Sequence, residues 1–223
     1  MADRIDAMLK VLKWPLAILA LIYLPAAAQA LIGHSKTMAS KTHLFPAFLL
    51  GCGFYNVAWV LWFRKKIWGS AFSTLEHELT HALFGLFTFR IIRGIRISWS
   101  GGGHVRFKGA ANWMIYLAPY WFPTLTLALL PAIWLVGSQQ EHIANLLLGA
   151  SVGFHLCSTW KEIHPRQTDL QKVGFFFSLC VLPCLNLLSY GSILAYMLGS
   201  FSGVGQFWLD ILQRPTNWIT ELS

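Results

Sequence analysis

The sequence has few charged residues, and this shortage decides the broad class of the protein. Only 12% of its 223 residues are charged, whereas a soluble domain carries about 25%. Hydrophobic residues make up 56% of the chain, with 11 Trp and 16 Phe among the aromatic residues. A small soluble fold leaves much of its surface in water and could not hide so much apolar area. The composition therefore excludes an ordinary soluble domain and indicates a protein of the lipid bilayer.

Cysteine motifs and nucleic-acid-binding patterns are also missing. The four cysteines form no C-x-x-C pair and lie in apolar stretches, so we predict that they pack as small hydrophobic residues. The formal net charge is +8, but no basic patch carries the interleaved aromatic residues that bind single-stranded nucleic acid. We assign the positive charge to lipid headgroups and topology, and we predict no nucleic-acid partner. No internal repeat or linker divides residues 1–223, which indicates a single domain.

Apolar segments predict an α-helical integral membrane protein with about six transmembrane helices. These segments are 11–33, 44–63, 67–89, 111–136, 141–160 and 169–199. The first is longer than the apolar part of a signal peptide and is predicted to be a retained anchor. We expect the sixth to break or tilt near Pro183 or Gly191. The tail, 200–223, is predicted to form an interfacial amphipathic helix that ends before Pro215.

Residues 91–108 change to the two-residue period of a β-strand. Apolar residues alternate with polar ones on both sides of a glycine cluster at 101–103, namely Ile95, Ile97, Trp99, Val105 and Phe107. Two alternating runs around glycines predict a β-hairpin, which would be the one β element of a helical protein.

Basic residues divide unequally between the two faces of the bilayer if the six segments alternate. The face of the hairpin would carry Lys36, Lys41, Arg90, Arg93, Arg96, Arg106, Lys108, Lys161, Arg166 and Lys172. The other face would carry Arg4, Lys10, Lys13, Arg64, Lys65, Lys66 and Arg214. Since cytoplasmic loops are enriched in Lys and Arg, this margin favours a cytoplasmic location for the hairpin.

A metal-binding pattern lies in the middle of the third apolar segment, where residues 77–81 read His-Glu-Leu-Thr-His. Positions i and i+4 share one helix face, so His77 and His81 can bind one zinc ion. Glu78 can then act as the general base on a metal-bound water, which predicts hydrolysis of a peptide bond. The alternative is a buried polar cluster that pairs helices, although ionisable residues inside a membrane are functional by default. Glu76 points to another face, where it could hydrogen-bond a helix, support the site or pair with a cation.

A catalytic zinc site needs a third protein ligand and one open position. The candidates outside the motif are His104, His155, Glu162, His164 and Asp169. We favour Asp169, because it follows a loop and opens the sixth apolar segment, from whose rim it could project into a helix bundle. The alternative is a capping role, with Thr168 as N-cap, Gln171 completing a capping box and Asp169 meeting the helix dipole.

These residues together resemble the site-2 protease family of intramembrane zinc metalloproteases. Residues 76–83, Glu-His-Glu-Leu-Thr-His-Ala-Leu, are similar to its catalytic helix, and the glycine-rich hairpin is similar to its membrane-associated β element. Leu117–Tyr120 resembles a small-residue and proline motif of the next helix, and Thr168-Asp169 resembles the pair that supplies the third zinc ligand. The resemblance covers about residues 67–185 and implies a minimal bacterial inner-membrane member without a PDZ domain.

The chain also departs from the family pattern. Leu170 follows the aspartate where many members have glycine, and no clear N-x-x-P element precedes it. The residue that stabilises the oxyanion therefore stays unassigned.

A helical substrate has to be unwound before a protease can reach its peptide bonds. The freed backbone groups need new partners in a bilayer, and the edge of the hairpin could supply them by strand addition. We therefore predict substrate contacts at Ile95, Ile97, Gly102, Gly103 and Val105. The alternative is a surface hairpin that only connects two helices.

Three functions fit these patterns. The leading one is an intramembrane endopeptidase that cleaves membrane-anchored proteins or peptides with one bound Zn²⁺. The second is a membrane zinc peptidase of another family that cuts soluble peptides at the interface. The third is a non-catalytic metal-binding membrane protein. Glu78 argues against it, because a structural zinc site has no use for a general base and favours four protein ligands.

Overall fold

The computed structural model describes residues 1–41, 43–63, 67–98, 102–135 and 140–222. These residues are mainly helical, with one two-stranded sheet. The elements are α1 (Ala2–Lys41), α2 (Phe45–Leu61), α3 (Ile67–Phe87), β1 (Ile92–Ile97), β2 (Gly103–Phe107), α4 (Trp113–Leu117), α5 (Thr124–Leu135), α6 (Glu141–Glu162), α7 (Thr168–Val173) and α8 (Phe175–Leu222). A single 3₁₀ turn, Ala118–Tyr120, follows α4. The basic run 64–66 and the predicted hairpin residues Trp99 and Gly101 lie outside the described residues.

All six predicted apolar segments contain helix, but they do not all qualify as membrane spans. Among the described residues, three helices are long and apolar enough to cross a bilayer, Ala2–Ser40, Glu141–Glu162 and Phe175–Pro215. A fourth span would result if Trp113–Tyr120 and Thr124–Pro131, which are bent by 73° against each other, cross the membrane as one unit. Helix α2 has 17 residues, and α3 carries the ionisable motif. The helical membrane architecture is thus confirmed, and six separate spans are not.

The long helix α8 breaks at Gly199 and Ser200, which is the predicted boundary between the sixth segment and the tail, and not within the sixth segment. It continues through Pro183 and leaves helical geometry at Gly199 and Ser200, where Ser200 has a φ of +54°. A proline inside a membrane helix is tolerated when neighbouring groups satisfy the freed backbone. Gly191 is not the hinge either, because it receives the ring of Phe207; a Cβ there would lie 2.0 Å from that ring. The predicted break at Pro183 or Gly191 is therefore wrong.

The C-terminal tail is helical, as predicted, and one of its faces packs into the protein. After the break the chain folds back, so that Phe207 and Ile211 are buried, with 0% and 2% exposure. They contact three small residues of α1, Ala26, Ala27 and Ala30. The helix also continues past Pro215 to Leu222, so the predicted end before Pro215 is wrong.

Helices α2 and α6 pack in direct backbone contact through glycines. A Cβ at Gly51 would lie 1.9 Å from the carbonyl oxygen of Leu146, and one at Gly149 would lie 1.9 Å from that of Phe48. Small residues allow such close approach in membranes, where lipid offers no hydrophobic drive for helix association. This contact fixes α6, whose last residue, Glu162, reaches the ligand cluster.

The N-terminus lies at the end of the helix bundle that carries the hairpin, which we call the hairpin end. Asp6 forms an ion pair with Arg90, just before β1, and Lys13 contacts Val173 in α7. The strictly alternating assignment, which separated Arg4, Lys10 and Lys13 from the hairpin, is therefore wrong. If α1, α2 and α3 each crossed the bilayer, the three crossings would put residue 13 and the hairpin on opposite sides of it. Since both lie at the same end of the bundle, these three helices do not all cross.

The predicted β-hairpin is confirmed for the described residues. Strands β1 and β2 are antiparallel, with Ile95 opposite Val105 and Ile97 opposite Gly103. Phe107 packs against α3 at Gly85, where a Cβ would lie 2.3 Å from the phenyl ring. This contact holds β2 against the helix that carries the metal-binding motif.

Candidate metal centre

Helix α3 presents two histidines one turn apart towards α7. The rings of His77 and His81 have centroids 4.6 Å apart and are nearly perpendicular, at 80°. Both side chains are largely buried, with 10% and 9% exposure. The helical spacing therefore brings the two imidazoles to one site, as the i, i+4 pattern predicts.

The ring nitrogen Nδ1 of each histidine hydrogen-bonds to its own acceptor, and this contact fixes the tautomer of the ring. Nδ1 of His81 lies 2.8 Å from the carbonyl oxygen of Ile115, which can only accept, so this nitrogen carries the proton. Nδ1 of His77 lies 2.7 Å from Oε2 of Glu162 and donates to it in the same way. Metal-binding histidines usually donate their second ring N–H to a carboxylate or carbonyl, which leaves Nε2 as the ligand atom.

The two Nε2 atoms face Asp169, the second residue of α7. Oδ2 of Asp169 lies 3.3 Å from Nε2 of His77 and 3.1 Å from Nε2 of His81. Two nitrogen lone pairs and a carboxylate oxygen repel one another at this distance unless a cation or proton lies between them. Ligands about 2.0–2.1 Å from a tetrahedral zinc are about 3.3 Å apart, so the cluster fits a three-ligand site with an open position.

Asp169 stays ionised, as a metal ligand requires. Burial alone would raise the pKa of this carboxyl, but with protons on both Nε2 atoms the hydrogen bonds from His77 and His81 outweigh burial and hold the pKa below its ordinary range. Thr168 is not the N-cap, because α7 begins at this residue and the N-cap, Gln167, makes no side-chain cap bond; Asp169 does lie in the first turn, where it meets the helix dipole as the alternative predicts. Gln171 donates to the carbonyl of Pro165 and completes no capping box.

Glu78 lies beside the cluster with a free acceptor. Its carboxylate is buried, with 5% of the residue exposed, and Oε2 has no hydrogen-bond partner. Gly103 of β2 packs directly on it; a Cβ at Gly103 would lie 2.7 Å from Cγ and 2.9 Å from Oε1 of Glu78. The absence of a side chain at Gly103 therefore makes the room in which the Glu78 carboxylate lies.

A cavity of about 500 Å³ opens from the cluster between α3, β2 and α7. Three of the predicted substrate-contact residues, Gly102, Gly103 and Val105, line it. Ile95 and Ile97 lie on β1, outside this lining, and are 43% and 37% exposed. Strand β2 therefore borders the cavity, while β1 lies behind it.

The other third-ligand candidates occupy different positions. Glu162 supports His77 and accepts from Ser73 at 2.9 Å, so it acts on the cluster from outside. His104 is exposed on the cavity rim, and His164 is exposed in the loop before α7. His155 is 2% exposed and lies 3.5 Å from Oε2 of Glu76, on a different face of α3 from His77 and His81. Among these candidates the structure brings only Asp169 into direct contact with both histidines.

Sequence reasoning missed the support that Tyr120 gives to Asp169. The hydroxyl of Tyr120 lies 3.5 Å from Oδ2 of Asp169 and accepts a 2.7 Å bond from Gln167, while its ring packs edge-on against His77. The motif Leu117–Tyr120 was a signal for this position, but it did not indicate a role for the tyrosine. The bend after Tyr120 brings it to the cluster, and no local period reveals that bend.

Glu76 hydrogen-bonds a neighbouring helix, which is one of its three predicted roles. Its Oε1 accepts from the backbone N–H of Leu125, at the start of α5, over 3.0 Å. The hydroxyl of Thr80 donates to its backbone carbonyl at 2.7 Å. Glu76 thus joins α3 to α5 and lies outside the ligand cluster.

Comparison with known proteins gives one family match. A family model described as Peptidase M50B-like matches residues 50–218, a range that contains the whole ligand cluster and the hairpin. No curated protein and no solved structure matches the chain significantly.

Proposed function

Because the chain belongs to the Peptidase M50B-like family, and with it to the site-2 proteases, which are intramembrane metalloproteases, we propose that it is a zinc endopeptidase. Its substrates are membrane-anchored proteins or peptides, cleaved in or near their transmembrane segments. One observation carries the proposal. The ligand atoms of His77, His81 and Asp169 lie within 4.8 Å of one another, beside the unpartnered carboxylate of Glu78.

The proposed cofactor is a single zinc ion held by His77, His81 and Asp169. When bound, zinc supplies Lewis acidity that polarises a carbonyl group and activates water. Glu162 and the carbonyl of Ile115 hold the two imidazoles in the tautomer that ligation needs. Three protein ligands are the set that a catalytic zinc site uses.

Glu78 is the proposed general base. Its Oε2 has no hydrogen-bond partner, so it can take a proton from the attacking water and return it to the leaving amine. Its position between the ligands and β2 places it next to any peptide that lies along that strand.

Strand β2 is the proposed docking edge for the unwound substrate. Gly102, Gly103 and Val105 border the cavity, and backbone groups at this edge can pair with an extended peptide by strand addition. For Ile95 and Ile97 we propose contact with the apolar flank of the substrate, since both side chains are exposed.

We place the protein in the bacterial inner membrane as a multi-pass protein of about six segments, with the hairpin end in the cytoplasm. Eleven of the 17 lysines and arginines belong to elements at the hairpin end, namely Arg4, Lys10, Lys13, Arg90, Arg93, Arg96, Arg106, Lys108, Lys161, Arg166 and Lys172. Lys36 and Lys41 lie at the opposite end of α1. Cytoplasmic loops carry such an excess of positive charge.

Metal analysis combined with a cleavage assay on wild type and Glu78→Gln tests the proposal. We expect the variant to retain zinc and to lose activity by about 10²–10⁴-fold, because only the proton acceptor is removed. Full activity of Glu78→Gln would refute the proposed mechanism. Mapping the cleaved bond separates the alternatives, since cuts confined to soluble peptides would indicate an interfacial peptidase.

A further inference from the structure

The first turns of α1 contact several walls of the ligand cluster, although they lie outside the family-matched residues 50–218. We call residues 3–14 the N-terminal brace. Its members reach the segment before β1, the start of α4 and the end of α7. These elements carry the hairpin, the acceptor of His81 and the ligand Asp169.

Lys13 holds the end of the helix that carries Asp169. Its Nζ donates to the backbone carbonyl of Val173 at 2.6 Å and lies 4.9 Å from the ring centroid of Phe177. Helix α7 has six residues, and its Leu170 and Val173 are buried, with 0% and 3% exposure. So short and tightly packed a helix moves as one body, and a shift at Val173 is transmitted to Asp169 about 6 Å away along the axis.

The same brace holds the acceptor of His81. Asp6 accepts a 3.0 Å bond from Asn112, whose Oδ1 caps α4 by accepting from the N–H of Ile115. The carbonyl of that same Ile115 accepts from Nδ1 of His81. Next along the chain, the indole N–H of Trp113 donates to the carbonyl of Leu9 at 2.8 Å.

We propose that the N-terminal brace sets the geometry of the metal ligands, with Lys13 as a positioning residue for Asp169. Asp169 comes from α7, and the ring of His81 is oriented by α4, so one rigid helix that contacts both elements fixes their separation. This inference rests on the metal site of the proposed function, but it does not require that the site be proteolytic.

The test uses the full-length protein in detergent or lipid and compares Lys13→Met with Lys10→Met, a matched change at an exposed lysine of the same brace. Zinc affinity is measured by competition with a chelator, and ligand geometry by the absorption spectrum of the Co²⁺-substituted protein. We expect Lys13→Met to lower zinc affinity by about 10-fold, the lower end of the effect of outer-shell partners, and to change the Co²⁺ spectrum. Lys10→Met should leave both unchanged, and Lys13→Arg should restore most of the affinity.

A second variant keeps the test decisive if Lys13→Met does not fold. Trp113→Phe removes the N–H donor to Leu9 while keeping an aromatic ring, and we expect a smaller loss of zinc affinity with a changed Co²⁺ spectrum. Unchanged affinity and spectrum in the folded variants, or equal losses in Lys10→Met, would overturn the brace. A wild type that binds zinc with this Lys13 dependence but cleaves nothing would refute the proposed function and leave the brace standing.

Discussion

Helix α3 contributes one residue to each of two glutamate–histidine pairs, on different faces, and only one of these pairs belongs to the candidate metal centre. His77 pairs with Glu162 over 2.7 Å, and Glu76 pairs with His155 over 3.5 Å. Both pairs join α3 to α6, and all four residues carry ionisable groups in an apolar protein. The difference between the faces therefore cannot come from residue type.

What separates the two faces is a converging ligand and a cavity. Nε2 of His77 faces Asp169, whereas Nε2 of His155 lies 3.4 Å from the hydroxyl of Thr159, a residue of its own helix. The cavity opens on the first face, while His155 is enclosed, with 2% exposure. A buried carboxylate–histidine pair thus becomes a ligand only where a further ligand meets it. The same pair elsewhere satisfies polar groups between helices.

The largest effect should come from removing the converging ligand. We expect Asp169→Ala to lower zinc affinity by more than the about 100-fold that loss of an outer-shell partner costs, because one of three ligands is gone. His155→Ala removes the histidine that pairs with Glu76 and should keep the affinity of the wild type. Chelator competition measures both, and equal losses in the two variants would abolish the distinction between the faces.

The next effect concerns the carboxylates that pair with each histidine. We expect Glu162→Gln to weaken zinc binding by about 10–100-fold. The neutral amide orients the His77 ring less firmly and makes its Nε2 a weaker electron-pair donor to the metal. Glu76→Gln, the same change in the pair with His155, should leave zinc affinity unaltered. A loss of affinity in Glu76→Gln would show that the two faces are coupled through α3.

Contact between Gly103 and Glu78 allows a change that separates chemistry from metal binding. A Cβ at Gly103 would press on Glu78, so we expect Gly103→Ala to reduce cleavage by about 10–100-fold through displacement of the base. Zinc content should not change, since Gly103 contacts no ligand atom in the described contacts. Gly53→Ala, in α2 with open space around its Cα, is the control. Retained activity in Gly103→Ala would place Glu78 out of reach of the new methyl group.

The periodicity of residue types along the sequence predicts the parts of this site that are formed by residues close together in the chain. Spacing along one helix gave His77 and His81, and the two-residue alternation gave the hairpin. Asp169 was favoured because it follows a loop and opens the sixth apolar segment, although a residue at a helix start can also serve the helix dipole.

Contacts between distant segments were beyond the sequence. The bond between His77 and Glu162 joins positions 85 residues apart, and nothing in either segment encodes the other. The unbroken course of α8 through Pro183 was missed for a different reason. Pro183 has the local chemistry of a helix breaker, but a membrane helix tolerates proline where neighbouring groups satisfy the freed backbone.

The smallest effect should be on stability at the packing face. Glu76→Gln keeps an oxygen that can accept from the N–H of Leu125, but it removes the charge that faces His155. We expect a loss of about 1 kcal/mol in the free energy of unfolding, the usual contribution of one hydrogen bond. Thermal unfolding of the metal-free protein measures it, with zinc affinity as the second readout. If the loss appeared only with zinc bound, Glu76 would belong to the metal centre, and the two faces of α3 would form one functional unit.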